Sequence, residues 1–198
     1  MRTIKTALAL TLAAAPLAGC ISFGAKPPPS LLTLTAAAAP AVGQDQSSTA
    51  AQPITIEVPA SPQSLATVRV PVQTGPTELA YVDKAQWPEP PARLFARLMA
   101  DTITARTGRV VLSGVQAVSE PGARLGGELR FFGVDAPTRQ AVVTFDASLV
   151  RLATKGVVEK RRFEARVPLT AIDADDVGAP INDAANQVAT EVAAWVGK

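Results

Sequence analysis

Leu17-Ala18-Gly19-Cys20 is the stretch whose residue types and spacing spell out a chemical step. It follows a short apolar run and holds the only cysteine of the chain. The pattern reads as a lipobox. Signal peptidase II would recognise Leu17, Ala18 and Gly19 and cut before Cys20, whose thiol would then carry diacylglycerol. Arg2 and Lys5 supply the positive flank, and Ala7 to Leu17 the apolar core. That core is too short to cross a bilayer, which needs about 20 residues. An ordinary secretory signal with a chance cysteine and a short anchor left uncut are the other two readings. The run length, the flanks and the lone cysteine together favour the lipobox. The residue after Cys20 is Ile21 rather than Asp. Asp at that place commonly holds proteobacterial lipoproteins at the inner membrane, so Ile21 favours the outer membrane and a periplasm-facing domain.

Little other chemistry is on offer. The 198 residues include no histidine, the commonest general base and transition-metal ligand. Zinc sites of the Cys/His kinds and Ser-His-Asp or Cys-His nucleophiles are excluded. Glu128 with Asp146 could form an acid/base pair on a strand face, but carboxylates there usually serve solvation, and no enzyme is expected. Asp173, Asp175 and Asp176 offer oxygen ligands before Gly178. Their spacing lacks the alternation and closing Glu of an EF-hand, so a solvated loop or helix cap is the reading, with no metal. Lys160-Arg161-Arg162 could meet lipid phosphate, yet Glu159 and Glu164 flank it, as on a charged strand edge. No cofactor is expected beyond the covalent lipid on Cys20.

Of the 19 Lys and Arg, Arg2 and Lys5 leave with residues 1–19, which contain no acid, so the mature part has as many bases as its 17 acids. A neutral domain has no electrostatic footprint for nucleic acid and no charge-driven attraction to anionic lipid.

Three divisions follow: residues 1–19 as signal peptide, 20–52 as lipidated N-terminus and flexible tether, and 53–198 as one domain. The tether contains Pro27-Pro28-Pro29 and an alanine-rich tract, compositions that bury too little to order themselves. Leu31-Leu32-Thr33-Leu34 is the exception, suited to a short strand at the domain edge. Strands are expected at Ile54–Val58, Leu65–Val72, Glu78–Val82 and Arg109–Leu112. Arg124–Val134, Gln140–Leu152 and Val157–Val167 should form an antiparallel meander with turns at Ala136-Pro137-Thr138 and Thr154-Lys155-Gly156. Leu125, Gly127, Leu129 and Phe131 would share one face. A helix should run from Pro91 to Thr107, burying Leu94, Phe95, Leu98, Thr102 and Ile103, with Gly108 as its stop. A second should run from Ala179 to Val196. The fold class is α+β: a mainly antiparallel sheet with two amphipathic helices packed on one face.

Three aromatic residues are candidate partner contacts. Trp87 reads as an interface anchor or as the staple of helix entry to the core. Tyr81 reads as a buried ring with its hydroxyl at the rim, or a contact. Alternation puts Phe132 beside Glu128 and Arg130 on the wet face, where an exposed ring would meet another chain or lipid; a bulge at Gly133 would change that.

The order of parts resembles the ABC-type transport auxiliary lipoproteins, among them the paraquat-inducible protein C type that accompanies MCE lipid transport systems. The resemblance lies in the lipobox, Leu31–Leu34, and Glu78-Leu79-Ala80-Tyr81 leading to Trp87-Pro88 before the helix. It continues in Gly127-Glu128-Leu129 and the closing Val192-Ala193-Ala194-Trp195-Val196. It implies a non-enzymatic outer-membrane component, helping phospholipid pass between the two membranes. Its partner would be an MCE-domain protein, and a homo-oligomer is a further implication. The alternative is a structural or assembly lipoprotein acting on an outer-membrane protein or the cell wall.

Overall fold

A computed structural model describes residues 30–49, 51–112, 122–152 and 157–197. Cys20 with its preceding Leu17, Ala18 and Gly19, and the turn expected at Thr154-Lys155-Gly156, lie outside them. The described strands are β1 (Ile54–Ile56), β2 (Arg69–Gly75), β3 (Glu78–Gln86), β4 (Val111–Leu112), β5 (Ala123–Asp135), β6 (Gln140–Arg151) and β7 (Val157–Pro168). The helices are α1 (Pro91–Thr107) and α2 (Gly178–Val196). The fold is α+β.

The expected meander forms, with β5, β6 and β7 pairing antiparallel in order. The other edge of β5 departs from expectation. β1 pairs parallel with its first residues and β2 parallel with its last, so the sheet is mixed rather than mainly antiparallel. The segment containing β1 and β2 runs alongside β5 in one direction. Between the two, the Ala60 backbone donates to the Gly127 carbonyl at 2.9 Å and accepts from the Leu129 amide at 2.8 Å. Pro59 and Pro62 lack an N–H, so the ladder cannot continue and breaks into two short pieces. Leu65, expected to open a strand, closes a 3-10 turn over Gln63–Leu65 instead, and the strand begins at Arg69. β4 extends the sheet beyond β1, and β3 beyond β2.

α1 has the bounds its local signals set. Pro91 stands in the first turn, where its missing N–H is no loss. Gly108 closes the helix at φ 66°, its amide donating to the Thr104 carbonyl at 3.0 Å. All five residues of the expected stripe are buried, with Met99 beside them.

β5 carries a bulge. Leu129 faces Phe145 on β6, but the next paired residue, Phe131, faces Thr144, so Arg130 is the extra residue. One extra residue reverses the side-chain alternation. Leu129 and Phe132 therefore both point to the core, and Phe131 is turned to the other face. Phe132 is 0% exposed, which corrects its expected place on the wet face. Its ring lies 5.7 Å from Trp87 and 6.1 Å from Phe95, and Phe95 stands edge-on to Phe145 at 5.5 Å. These four rings join α1 to the sheet. Phe163 and Trp195, 5.6 Å apart, tie α2 to β7. Three residues before the bulge on the same strand, Gly127 has φ 135°, and a Cβ there would lie 2.0 Å from the Asp146 carbonyl oxygen, so no other residue fits.

Ahead of Pro53, Leu32 and Leu34 of the stretch expected at the domain edge pack against the core, and Ala36 just beyond it does too. Their partner is chiefly a helix rather than a strand. Asn182 Oδ1 accepts the Thr35 amide at 2.8 Å and Asn186 Oδ1 the Ala37 amide at 2.7 Å, while Asn186 Nδ2 donates to the Thr35 carbonyl at 2.9 Å. Side-chain amides thus satisfy this strap from Thr35 onward, after the Leu32 amide has bonded the Gln86 carbonyl at the end of β3.

Phe132→Ala should cost about 3–5 kcal/mol of stability, as for a fully buried ring, while Phe131→Ala should cost roughly 1 kcal/mol because the side chain is only half buried. Urea unfolding followed by tryptophan fluorescence ranks the two. The reverse order would place the bulge elsewhere.

Candidate functional site

The sheet face turned away from the helices is built by the second set of alternating residues in β5, β6 and β7. Glu128, Asp146 and Arg162 lie side by side, since Asp146 is the cross-strand partner of both Glu128 and Arg162. Arg162 grips Asp146 with two bonds, Nε to Oδ1 at 2.6 Å and Nη2 to Oδ2 at 2.7 Å. Arg130, freed by the bulge, reaches both Glu128 at 3.4 Å and Asp146 at 3.9 Å. Further along, Arg166 bonds Glu164 at 2.8 Å and Asp135 at 3.2 Å, and Thr144 Oγ1 donates to Glu164 at 2.8 Å.

This lattice of opposite charges decides what the face can do. The Arg162 bond holds the Asp146 carboxyl below its usual range, against a smaller opposing effect of burial. Burial works to raise the Glu164 carboxyl, but the bonds from Thr144 and Arg166 overcome it and the net direction is down. A general acid needs the opposite shift. The pair Glu128 and Asp146 is brought together as the sequence allows, lining a depression of about 430 Å³ with Lys160 and Arg161, and both carboxylates are held there in ion pairs with Arg130 and Arg162. Lys160-Arg161-Arg162 is split by the pleat: Arg162 joins the charged face, while Arg161 lies over the Phe163 ring at 4.9 Å. The Asp173 carboxylate accepts the amides of Asp175 and Asp176, both at 3.0 Å, which is the work of a turn cap.

The aromatic candidates part company. Trp87 is 1% exposed, its backbone amide donating to the Val68 carbonyl at 2.7 Å. With Phe132 it belongs to the core, and neither offers a surface to a partner. Tyr81, on edge strand β3, remains half-buried, with the Arg69 guanidinium 4.1 Å above its ring. Tyr81 is the one of the three that a partner could touch directly.

Two features have no clear local signature. A groove of about 690 Å³ runs between the outer side of α1, with Arg93, Ala96 and Arg97, and the edge formed by Ile56 and Leu112. It arises from tertiary packing of segments far apart in sequence. Asn182 and Asn186 grip the strap. The available signal was two asparagines one turn apart on the polar side of an amphipathic helix. Among the described residues no helix is long and apolar enough to cross a membrane.

Residues 32–193 match the family described as ABC-type transport auxiliary lipoprotein component. No curated protein matches the chain. Among solved structures, protein XCC0632 from Xanthomonas campestris, assigned in its description to the family DUF330, is similar at 20% identity and TM-score 0.67, over 84% of this chain and 94% of that one. A second, described as an uncharacterized protein, is similar at 17% identity and TM-score 0.59, over 73% and 90% of the two chains. At these identities the likeness is one of fold.

The charged face has a pH signature. The folded carboxyl of Asp146 sits below its unfolded value, so its contribution is present above about pH 4 and is lost as pH falls through the folded value. Asp146→Asn should therefore be less stable than the natural protein at pH 7 by about 0.5–1 kcal/mol, a figure already discounted for exposure. The gap should close toward pH 3 and shrink in high salt. Urea midpoints at the two pH values check this.

Proposed function

The chain belongs to the family of ABC-type transport auxiliary lipoprotein components, and from that premise we propose that it is a lipid-anchored accessory of an MCE-type system moving phospholipid between two membranes. Cys20 carries the lipid, and Ile21 after it directs the protein to the outer membrane, with the domain in the periplasm. The ATPase, permease and MCE-domain subunits are other chains. The observation that carries the reading is the joint occurrence of the lipobox Leu17-Ala18-Gly19-Cys20 and a family match beginning twelve residues later, at Leu32.

The domain supports a docking role by its chemistry. Its opposite charges are largely paired on the sheet face, leaving a neutral surface suited to protein contact rather than to gathering anions. Tyr81 with Arg69 on the β3 edge is a compact aromatic and cationic pair of the kind enriched where chains meet.

Cys20→Ser should take up no lipid and stay uncut, so the protein should leave the outer-membrane fraction and appear as the larger precursor. The natural lipidated form, crosslinked in cells, should co-purify with an MCE-domain protein, and Tyr81→Ala should reduce that yield several-fold. Processing of the Cys20→Ser variant to natural size, with retention in the outer membrane, would remove the anchor. Capture of cell-wall or outer-membrane assembly proteins in place of an MCE chain would favour a structural role.

A further inference from the structure

We propose that the docked strap determines which end of the domain faces the lipid surface. The proposal rests on the lipid anchor at Cys20, and its reasoning concerns where the anchored chain first meets the fold.

The strap has a direction. Leu32 donates its backbone amide to the Gln86 carbonyl at 2.8 Å, and its side chain lies 2.9 Å from where a Cβ on Gly178 would stand. Thr35 and Ala37 then meet Asn182 and Asn186 in turn, so the strap runs with α2 from its first residue onward. The two spacings agree: two extended residues advance about 6.6 Å and four helical ones about 6 Å. Paired asparagines at that interval can therefore hold alternate amides of one straight segment.

The start of α2 marks one end of the sheet. β7 ends at Pro168 opposite Gln140, and the Leu169 amide donates to the Arg139 carbonyl. The strap thus enters at the end that carries the turn Ala136–Arg139. The ends of the helices, where Thr107 approaches Gly197, and the strand residues Ala123, Arg151 and Val157 form the opposite end.

Length makes the difference decisive. From Cys20 to Leu32 the chain spans at most about 40 Å, against about 110 Å were it free as far as Pro53. β5 alone, with 13 residues, is about 43 Å long. A leash no longer than the domain keeps the entry end toward the lipid. Exposed Leu31 and Ile172 lie beside this entry, next to the start of the strap and in the loop leading to α2. Asp173, Asp175 and Asp176 in that loop oppose attraction to anionic lipid, so the leash rather than charge sets the approach.

The test uses the lipidated full chain in phosphatidylethanolamine-rich vesicles containing an acceptor-labelled lipid. With Cys20 acylated, Thr138→Cys or Val158→Cys supplies the only free thiol for a donor dye. Energy transfer should be several-fold stronger from position 138 than from 158. In the Asn182→Ala/Asn186→Ala background the ratio should fall below about two, as the longer leash lets the domain tumble. In a Cys20→Ser chain, the Thr35 and Ala37 amides should exchange at least tenfold more slowly than in a free peptide, and lose that protection in the double variant. If the double variant does not fold, Leu34→Ser makes the same comparison. Equal transfer from both positions in the natural strap, or unprotected Thr35 and Ala37, overturns the proposal. Failure of the natural chain to bind vesicles removes the anchor and the orientation with it, while amide protection would show the strap still intact.

Discussion

The fold depends on one extra residue in its central strand. Arg130 interrupts the alternation of β5, and Phe132 turns inward to join Trp87 and Phe95. Without that step Phe131 would point to the core and Phe132 to solvent, and the contact between α1 and the sheet would lose its middle ring. Edge-to-face rings at these separations contribute about 0.5–1.5 kcal/mol beyond the area they bury. The same bulge works on both faces. It brings Arg130 to Glu128 and Asp146, so the step that completes the core also places a cation in the charged lattice outside.

Elements governed by near neighbours were legible in the sequence. α1 begins at a proline and stops at a glycine that takes up a left-handed conformation, and both signals lie within a turn of the boundary. The period-two pattern of β6 places Val143, Phe145, Ala147 and Leu149 inward as read. Long-range pairing was not legible. That β1 and β2 lie parallel to β5 depends on residues about seventy positions away, and nothing in Ile54–Ile56 distinguishes a parallel neighbour from an antiparallel one. The bulge belongs to the same class, because its place is chosen by the facing strand and by the rings of α1. Hence Phe132 lies on the face opposite to the one plain alternation predicts, while Trp87, at the entry to α1, lies in the core as a staple of helix entry would.

The candidate surface was legible in kind more than in arrangement. Balance of charge is plain in the composition, and the outer face holds those charges as cross-strand ion pairs. Their geometry depends on the register: Glu128 faces Asp146 across β5 and β6, where Gly127, with no Cβ, leaves room for the Asp146 carbonyl, and Asp146 meets Arg162 through the separate register of β6 with β7. A single glycine thus holds the spacing on which the neighbouring pair relies.

The strap was hardest to read because its two halves obey different rules. Leu32, Leu34 and Ala36 alternate as a strand does, while the groups that hold its backbone stand partly on β3, at Gln86, and partly on a helix, at Asn182 and Asn186. On the proposed reading, reach and facing are coupled: a longer free chain before Leu32 would raise the domain and loosen its facing, and loosening the asparagine pair would have the same effect by lengthening the free part at the same total length.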